Sequence, residues 1–230
     1  MLSVILPTYN EKDNLPVLVN MIDDACKKAR IKYEIIVVDD NSPDGTGAVA
    51  EEISRHDSRI RVVHRKEKLG LGSAVLDGVK ISKGEYVCIM DADLQHDPDD
   101  IPKLYGAAQR GSIAIGSRYV KGGRSELSFV RSVISRGAAF LARIVLGISV
   151  NDPESGFSVI RKNLFDRISL SPRGFKINLE IMHKSGEKVI EVPVTLRKRI
   201  HGKTKLGMKE FVNYILLIMH LRASKRLPII

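Results

Sequence analysis

The stretch Tyr86-Val87-Cys88-Ile89-Met90-Asp91-Ala92-Asp93-Leu94-Gln95-His96 runs from apolar and aromatic residues directly into an acidic and polar cluster. Its first five residues have the composition of a buried strand, and the cluster follows where that strand ends. Two carboxylates one residue apart offer hard oxygen ligands to a divalent cation, which usually bridges substrate phosphates. The stretch therefore predicts a site for a metal ion and a nucleotide diphosphate, with Asp93 in a solvent-facing cleft.

The same acidic cluster also has a structural interpretation. Asp97, Asp99 and Asp100 surround Pro98, near which a helix is predicted to begin. Acidic side chains are favourable at the N-terminus of a helix, and aspartate pairs separated by one residue are common outside metal sites. The choice between a metal site and a helix N-terminus depends on which other residues of the chain are predicted to lie near this cluster.

The first half of the chain alternates short β-rich apolar runs with helical patterns, which is typical of a mostly parallel central sheet flanked by helices. The pattern predicts an α/β fold. The predicted strands are residues 3–6, 33–38, 60–64, 85–90 and 112–115, with helices over 14–30, 45–55, 71–82 and 98–110. For the less regular second half we expect helices over 129–146 and about 208–224, with strands near 158–160 and 189–195.

Two further polar clusters follow predicted strands. In open parallel sheets, ligands bind beyond the carboxyl ends of the strands. Asp39 and Asp40 can accept hydrogen bonds from a base or from ribose hydroxyl groups, although residues 40–45 are equally well composed for an Asx turn. Tyr9 and Glu11 can close over a base, although alone they would also suit the start of a helix.

Composition indicates one main domain in a reducing compartment. The chain has 230 residues, of which 43% are hydrophobic, and no low-complexity stretch divides it. We expect one α/β domain over residues 1–206 and a helical extension over residues 207–230. Cys26 and Cys88 lack CxxC spacing, and no signal-peptide pattern precedes the first strand. We therefore expect an intracellular protein.

The net charge of +10 is concentrated in the second half of the chain. Residues 1–110 carry 15 Lys and Arg against 19 Asp and Glu, whereas residues 111–230 carry 22 against 8. This excess favours a membrane surface, phosphate groups or nucleic acid as a partner, and the alternative is a solvated basic face. No apolar run reaches the roughly 18 to 20 residues of a membrane span, so the helices of this half are predicted to be interfacial or core helices.

Segments from nearly the whole chain carry a family resemblance. They are Leu6-Pro7-Thr8-Tyr9-Asn10-Glu11, Val38-Asp39-Asp40-Asn41-Ser42-Pro43-Asp44, Asp91-Ala92-Asp93-Leu94-Gln95-His96, Ile115-Gly116-Ser117-Arg118-Tyr119, Asp152-Pro153-Glu154-Ser155-Gly156-Phe157, Gly174-Phe175-Lys176-Ile177 and Arg199-Ile200-His201-Gly202-Lys203-Thr204-Lys205-Leu206. In this order and at this spacing, they resemble the dolichol-phosphate mannose synthase group of inverting family 2 glycosyltransferases.

The resemblance implies a GT-A type nucleotide-diphospho-sugar transferase fold over residues 1–206, with amphipathic C-terminal helices. It implies that mannose is transferred from GDP-mannose to dolichyl or polyprenyl phosphate, with Mg²⁺ or Mn²⁺ as cofactor. The implied metal ligands are Asp91, Asp93 and Gln95, and the implied catalytic residues are Asp91, Asp93 and Arg118. The implied donor-binding residues are Pro7, Tyr9, Glu11, Val38, Asp40, Asp91, Ala92, Asp93, Gln95, Arg118, Lys176, Arg199 and Lys205, and those for the acceptor phosphate are Arg118, Arg131 and Ser135.

The basic half and its helices predict peripheral attachment to the cytoplasmic face of a membrane. Small membrane-anchoring subunits are the alternative means of attachment. The nearest alternative function is polyprenyl-phosphate glucosyl transfer, or another family 2 reaction with a UDP-sugar, because the base-side residues do not distinguish guanine from uracil.

Two function classes fit the sequence poorly. A basic nucleic-acid-binding module would carry interleaved surface aromatic residues, but Trp is absent and aromatic residues make up only 5% of the chain, so we expect no nucleic acid partner. A dinucleotide-binding oxidoreductase needs a glycine-rich turn after its first strand, where this chain has Pro7-Thr8-Tyr9-Asn10.

Overall fold

The computed structural model describes residues 1–171, 176–198 and 208–224. Within these ranges the chain forms a seven-stranded sheet flanked by helices and a second sheet of two short strands. In chain order, the elements are β1 (Leu2–Thr8), α1 (Leu15–Lys28), β2 (Tyr33–Asp39), α2 (Thr46–His56), β3 (Ile60–His64), α3 (Leu71–Ile81), β4 (Tyr86–Ile89), α4 (Ile101–Gly111), β5 (Ile113–Ser117), β6 (Arg124–Ser125), α5 (Phe129–Leu146), β7 (Ser158–Arg161), α6 (Asn163–Arg167), α7 (Ile177–Ser185), β8 (Val189–Pro193), β9 (Thr195–Leu196) and α8 (Met208–Ala223).

The strand order of the large sheet is β3-β2-β1-β4-β7-β5-β8. Neighbouring strands are parallel except at β7, which is antiparallel to both β4 and β5. Because β7 opposes both neighbours, β4 and β5 point the same way, and the carboxyl ends of β1, β2, β4 and β5 lie at one edge. The expected α/β fold with a mostly parallel sheet is confirmed.

Apolar side chains cover both faces of the sheet. In β1, Val4 and Leu6 belong to the cluster that contains Leu18 of α1, whereas Ile5 belongs to the opposite cluster with Val75 of α3. Because successive side chains of a strand point to opposite faces, a strand covered on both sides must be apolar at nearly every position. This requirement explains the continuous apolar runs from which the central strands were predicted.

Helices α5 and α8 form a third apolar cluster. Leu146 of α5 packs with Tyr214 and Ile218 of α8 and with Leu179 of α7. The hydroxyl group of Tyr214 also donates a hydrogen bond of 3.2 Å to the carbonyl oxygen of Ala138. The two helices are thereby joined to each other and to the main domain.

Both of these helices also carry exposed apolar side chains. On α5, Phe129 is 83% exposed, and Phe140 and Ile144 are 62% and 63% exposed. On α8, Leu216 and Met219 are 62% and 58% exposed. No helix among the described residues is long and apolar enough to cross a membrane.

The second half differs from the prediction in two respects. The strand expected near residues 189–195 is confirmed for Val189–Pro193 but does not continue to residue 195. The N–H group of Val194 bonds to the carbonyl oxygen of Ser117 of β5, while the carbonyl oxygen of Val194 accepts from the N–H group of Arg124 of β6, so the chain passes from one sheet to the other. Helices α6 and α7 were not predicted. Nearly every residue of α7 is buried, so the helix lacks the alternation of polar and apolar faces that reveals a surface helix. The expected boundary between residues 206 and 207 falls outside the described residues.

Candidate active site

The carboxyl edge of the large sheet brings the predicted polar clusters together. β1 and β2 end in register, with Thr8 opposite Asp39, and β4 lies on the other side of β1. The segments that follow these three strands contain Tyr9, Asp40 and Asp91. They therefore leave the sheet at the same edge, as the sequence predicts.

Residues 91–95, which we call the acidic turn, are tightly folded. Ala92 and Asp93 are each only 3% exposed. Asp93 Oδ1 accepts a hydrogen bond of 3.1 Å from the backbone N–H group of Gln95, and Leu94 has φ of 60°, in the left-handed region. The expected solvent-facing position of Asp93 is therefore wrong, since its carboxylate helps to close the turn.

Gln95 is held by the segment that follows β9. Its Nε2 donates a hydrogen bond of 3.0 Å to the carbonyl oxygen of Arg197, and the N–H group of Arg197 donates one of 2.8 Å to the carbonyl oxygen of Gln95. With the amide nitrogen used in this way, Oε1 keeps the acceptor capacity that metal ligation requires.

Gly156 lies against the first carboxylate of the acidic turn. A β-carbon at this position would lie 2.6 Å from Asp91 Oδ2, which is closer than real β-carbons approach an oxygen atom. Only glycine therefore leaves room for this carboxylate. Residues 152–156, which we call the 152–156 turn, thus form part of the site.

The acidic turn suits a hard cation that takes further ligands from a substrate. Within residues 1–171, 176–198 and 208–224, no three His, Cys, Asp or Glu side chains form a metal site by themselves. Asp91, Asp93 and Gln95 supply two carboxylates and an amide oxygen. Mg²⁺ is commonly held by one or two carboxylates together with water and phosphate oxygens. The residues present fit an ion of this kind better than a closed protein cage.

The acidic residues beyond the turn are structural. Asp97 Oδ1 accepts a hydrogen bond of 3.1 Å from the N–H group of Asp99, and its Oδ2 pairs with Arg197. Asp100 Oδ1 accepts a hydrogen bond of 2.6 Å from Lys103 Nζ. The structural interpretation is therefore confirmed for the residues around Pro98.

Asp39 and Asp40 have different partners. Asp39 accepts hydrogen bonds of 2.5 Å and 3.1 Å from the hydroxyl and N–H groups of Ser42, so the Asx turn begins one residue before the predicted range. Asp40 is 5% exposed. It accepts hydrogen bonds of 2.7 Å from Arg65 Nη1 and of 2.9 Å each from the N–H groups of Leu69 and Gly70. Its carboxylate thus fixes residues 65–70, which join β3 to α3.

Tyr9 lies beside this loop. Lys68 Nζ is 3.2 Å from the centroid of the Tyr9 ring, in a cation–π contact. Glu11 Oε2 accepts a hydrogen bond of 2.6 Å from Asn14 Nδ2 at the start of α1. The residues expected around the guanosine all lie on β1, β2 or the segments directly after them: Pro7, Tyr9, Glu11, Val38 and Asp40.

Arg118, directly after β5, forms a buried ion pair with Asp152. Its Nε and Nη2 each donate a hydrogen bond of 2.7 Å to the carboxylate, and Nη2 donates another of 3.1 Å to the hydroxyl group of Ser135. The side chains of Arg118 and Asp152 are 9% and 0% exposed. Burial by itself lowers the pKa of Arg118, but the hydrogen bonds and charge of Asp152 outweigh it and raise that pKa, so the guanidinium stays charged. We call Arg118, Ser135 and Asp152 the Arg118 cluster.

Glu191 of β8 holds Asp152 in place. Its Oε2 accepts hydrogen bonds of 2.9 Å and 2.8 Å from the backbone and side-chain nitrogens of Asn151, and its Oε1 accepts one of 3.1 Å from the N–H group of Asp152. The 152–156 turn therefore connects both parts of the site. Asp152 at one end binds Arg118, and Gly156 at the other end packs against Asp91.

The other predicted basic residues are placed as follows. Arg131 is half-buried on α5, one helical turn before Ser135. Lys176 Nζ donates a hydrogen bond of 3.3 Å to the carbonyl oxygen of Glu154, so it contacts the 152–156 turn. Arg199 and Lys205 lie outside the described residues, as do the segments 174–175 and 199–206 that contributed to the resemblance.

His96 is enclosed at the end of the acidic segment. It is 5% exposed, and its ring centroid lies 5.0 Å from that of Phe157. Burial lowers the pKa of His96 to about 4, although the charge of Asp93 acts in the opposite direction. The imidazole is therefore neutral near pH 7, and its enclosure makes it unsuited to accept a proton from a substrate.

Several residues of the site are absent from the predicted set. Asp152 belongs to one of the segments that carry the family resemblance. No local pattern in the sequence, however, predicts that it pairs with Arg118, which lies 34 positions earlier in the chain. Glu191 could have been found, because a lone acid between Ile190 and Val192 in an apolar strand usually has a partner. Lys68 lies in the charged run of residues 65–68, a pattern that predicts only a solvent-exposed loop.

Comparison with known proteins identifies the family. The model of glycosyl transferase family 2 matches residues 3–169. A dolichol-phosphate mannosyltransferase of Pyrococcus furiosus is 47% identical over 218 residues, which are 93% of this chain and 61% of that protein. A polyprenol monophosphomannose synthase of Mycolicibacterium smegmatis is 38% identical over 216 residues, covering 89% of this chain and 80% of that protein.

Solved structures share the fold at lower identity. Glucosyl-3-phosphoglycerate synthase of Mycobacterium tuberculosis, in complex with Mn²⁺ and UDP-glucose, is similar with a TM-score of 0.69 at 20% identity, covering 96% of this chain and 78% of that chain. The complex of the same enzyme with UDP has a TM-score of 0.67 at 20% identity, covering 98% and 81%. This likeness confirms the GT-A type fold, and the sequence matches confirm the family resemblance. The chain belongs to glycosyltransferase family 2.

Proposed function

We propose that this chain transfers mannose from GDP-mannose to dolichyl or polyprenyl phosphate, with inversion at the anomeric carbon and with Mg²⁺ or Mn²⁺ as cofactor. The names of the two curated relatives support mannose as the sugar and a polyprenyl phosphate as the acceptor. One structural observation carries the proposal. The 152–156 turn touches both the acidic turn, through Gly156, and the Arg118 cluster, through Asp152. The metal-diphosphate site and the anion site that we propose would therefore lie side by side.

The Arg118 cluster supplies the anion site. The contacts of Arg118 with Asp152 and Ser135 use Nε and Nη2, and the two N–H groups of Nη1 lie outside these contacts. The hydroxyl group of Ser135 and the charge of Arg131 lie on the same helix, one turn apart. Guanidinium and hydroxyl donors arranged in this way suit the oxygens of a phosphate monoester.

The acidic turn supplies the donor side. Asp91, Asp93 and Gln95 would hold the divalent ion, which when bound neutralises charge that develops on the departing diphosphate. Lys176, next to the 152–156 turn, adds positive charge near this side of the site. Tyr9, Glu11 and Asp40 would surround the base, and the resemblance adds Arg199 and Lys205 to the residues that meet the diphosphate or the sugar.

The proposed reaction needs no strong general base. A phosphate monoester has a second pKa of about 6, so the acceptor is already anionic near neutral pH and can attack the anomeric carbon directly. His96, enclosed and neutral, is not required as a proton acceptor. The residues of the site therefore act by positioning the acceptor phosphate and by stabilising charge.

Direct assay tests the proposal. Purified protein is incubated with labelled GDP-mannose, a polyprenyl phosphate and Mn²⁺, and the product is analysed by NMR. We expect a lipid-linked mannose whose anomeric configuration is inverted relative to the donor. A product with retained configuration, or no transfer to any polyprenyl phosphate, would overturn the proposed reaction.

A UDP-sugar is the alternative donor. Glucosyl-3-phosphoglycerate synthase of Mycobacterium tuberculosis, whose structure contains UDP-glucose, matches the fold of this protein over 96% of the chain. Calorimetric titration with GDP and UDP in the presence of Mg²⁺ or Mn²⁺ separates the two donors. We expect GDP to bind more tightly, and tighter binding of UDP would favour a polyprenyl-phosphate glucosyltransferase.

The same proposal places the protein peripherally on the cytoplasmic face of a membrane. The exposed apolar side chains of α5 and α8 accompany the strongly basic second half of the chain. Each Lys or Arg near an anionic membrane contributes on the order of 1 kcal/mol to binding. Purified protein should float with vesicles that contain anionic lipid. Flotation only after small membrane proteins are added would favour anchoring subunits instead.

A further inference from the structure

A groove of about 470 Å³ lies against α5. The helix supplies two basic side chains to it, Arg136 and Arg143, together with the aromatic ring of Phe140. Tyr119, two residues after β5, and Asn151, directly before the 152–156 turn, line the same groove. The groove therefore combines two guanidinium groups with aromatic surface.

The positive charge of this groove is not balanced by a carboxylate. Arg136 and Arg143 are exposed, and neither forms an ion pair with another residue of the described part of the chain. The guanidinium of Arg136 lies 5.2 Å from the centroid of the Tyr119 ring, and that of Arg118 lies 4.8 Å from the same centroid. Arg118 differs because Asp152 neutralises it in a buried pair. The two unpaired guanidinium groups are suited to an anionic ligand.

The groove is separate from the proposed site of the acceptor phosphate. The hydroxyl group of Ser135 accepts a hydrogen bond of 3.1 Å from Arg118, so Ser135 faces the Arg118 cluster. Arg136 is the next residue of α5, and its side chain leaves the helix about 100° further round the axis. Neither Ser135 nor Arg131 lines the groove. An anion held by Arg136 and Arg143 would therefore be a second one, beside the acceptor.

An apolar stripe lies next to the two arginines on α5. Its members are each more than half exposed: Phe129, Val133, Phe140 and Ile144. At 3.6 residues per turn, their spacings of four and seven residues place them along one side of the helix. A free phosphate would leave this stripe in water, whereas the acyl chains of a lipid would cover it. The arginines thus favour an anionic group, and the stripe favours a lipid as its carrier.

We propose that Arg136 and Arg143 bind the phosphodiester headgroup of an anionic phospholipid whose acyl chains contact the apolar stripe of α5. A guanidinium group can donate two parallel hydrogen bonds to phosphate oxygens, so two arginines can hold one headgroup. The lipid would fix α5, and with it Arg131 and Ser135, at the membrane surface. The inference rests on the proposed attachment to a membrane, and it assigns that attachment to one defined site.

Flotation with vesicles tests this site. The vesicles are made of phosphatidylcholine, with or without phosphatidylglycerol. For the double variant Arg136→Gln with Arg143→Gln, we expect the apparent dissociation constant for phosphatidylglycerol vesicles to rise about 25-fold, since each arginine near an anionic surface contributes about fivefold. The matched control, Lys28→Gln with Arg110→Gln, removes two exposed charges from α1 and α4 and should change binding less than about twofold. Equal effects of the two double variants would overturn the site.

Two further measurements distinguish a defined lipid site from diffuse attraction and from a site for free phosphate. Arg136→Lys with Arg143→Lys keeps the charge but loses the paired hydrogen bonds, so binding should still weaken about fivefold. Wild-type binding in this variant would overturn the defined site. In calorimetry, dihexanoyl phosphatidylglycerol should bind at least about tenfold more tightly than soluble glycerophosphoglycerol, which corresponds to about two buried methylene groups. Equal affinities would overturn the assignment to a lipid.

Transfer of mannose to a short-chain, water-soluble polyprenyl phosphate, measured without vesicles, separates this inference from the proposed reaction. If the wild type transfers mannose but does not bind phosphatidylglycerol vesicles, the membrane attachment and the lipid site are overturned and the reaction stands. If it binds these vesicles through the two arginines but transfers no mannose, only the reaction is overturned. Arg143→Gln alone replaces the double variant if the latter melts at a lower temperature, and it should weaken vesicle binding about fivefold. Unchanged binding would overturn the site.

Discussion

The acidic turn and the Arg118 cluster lie at the same edge of the sheet, but their charges are balanced differently. In the Arg118 cluster the guanidinium is matched by the buried carboxylate of Asp152, at two distances of 2.7 Å. In the acidic turn, Asp91 and Asp93 place two carboxylates of the same sign on one short segment. A buried pair of this kind becomes costly to the folded state when one partner is removed, whereas like charges gathered in a turn are suited to a cation that arrives with the substrate. Substitutions in the two regions should therefore affect different measurements.

The largest effect is expected in the Arg118 cluster. Asp152→Ala leaves the Arg118 guanidinium buried without its carboxylate, which should lower the free energy of unfolding by about 3–5 kcal/mol. Urea denaturation measures this change. Asp24→Ala, at an exposed carboxylate on α1, is the control and should leave stability nearly unchanged. The double variant Arg118→Met with Asp152→Leu should be more stable than Asp152→Ala, and equal instability would contradict the ion-pair explanation.

In the acidic turn, a substitution should affect turnover much more than stability. Asn at position 93 can still accept the hydrogen bond from Gln95, so Asp93→Asn should unfold at nearly the wild-type urea concentration. Because we propose that Asp93 holds the cation that stabilises the departing diphosphate, the turnover number should fall by about 100- to 1000-fold. Asp99→Asn changes an exposed carboxylate nearby and should leave turnover unchanged. If Asp93→Asn turned over at the wild-type rate, the assignment of Asp93 to the active site would be wrong.

The turn that joins the two regions allows a third comparison. Gly156→Ala places a methyl group 2.6 Å from Asp91 Oδ2, so the carboxylate has to move. We expect the added methyl group to cost about 2 kcal/mol, which is typical of an overpacked position. This cost should appear partly as a lower free energy of unfolding and partly as a weaker apparent affinity for Mn²⁺. Gly106→Ala is the control, because a β-carbon there would meet nothing within 4 Å apart from neighbouring atoms of its own helix. An unchanged affinity for Mn²⁺ would show that Gly156 does not contribute to the proposed metal site.

The smallest effect is expected at the helix that faces the Arg118 cluster. Arg131→Ala should raise the KM for polyprenyl phosphate about tenfold, which corresponds to about 1.4 kcal/mol, and should leave the affinity for GDP unchanged. Steady-state kinetics with calorimetry for GDP measures both quantities, and Arg131→Lys should recover part of the loss. Equal weakening of donor and acceptor binding would indicate that Arg131 has a structural role.

Local patterns were sufficient for much of the fold. The central strands β1, β2 and β4 are apolar at almost every position because both faces of the sheet are covered, and each is followed by polar residues at the same edge. Strand β7 is different, since its insertion between β4 and β5 depends on partners 43 to 75 positions away in the sequence, which no local pattern encodes. Helix α7 has no exposed face to create a periodic pattern.

The groupings of residues in the candidate site were predictable where the residues are neighbours in the chain. Asp91, Asp93 and Gln95 form one local cluster, and Arg131 and Ser135 share one helical turn. Burial of the acidic turn was not predictable, because it depends on the distant Gly156 and Arg197. The pairing of Arg118 with Asp152 likewise depends on tertiary contacts.

Anomalous diffraction from a crystal soaked with Mn²⁺ and GDP-mannose tests the central claim most directly. We expect one manganese peak within bonding distance of the Asp93 carboxylate and of both phosphates of the donor, with Gln95 and Asp91 beside it. A peak elsewhere in the molecule, or donor bound with no manganese at the acidic turn, would contradict this account.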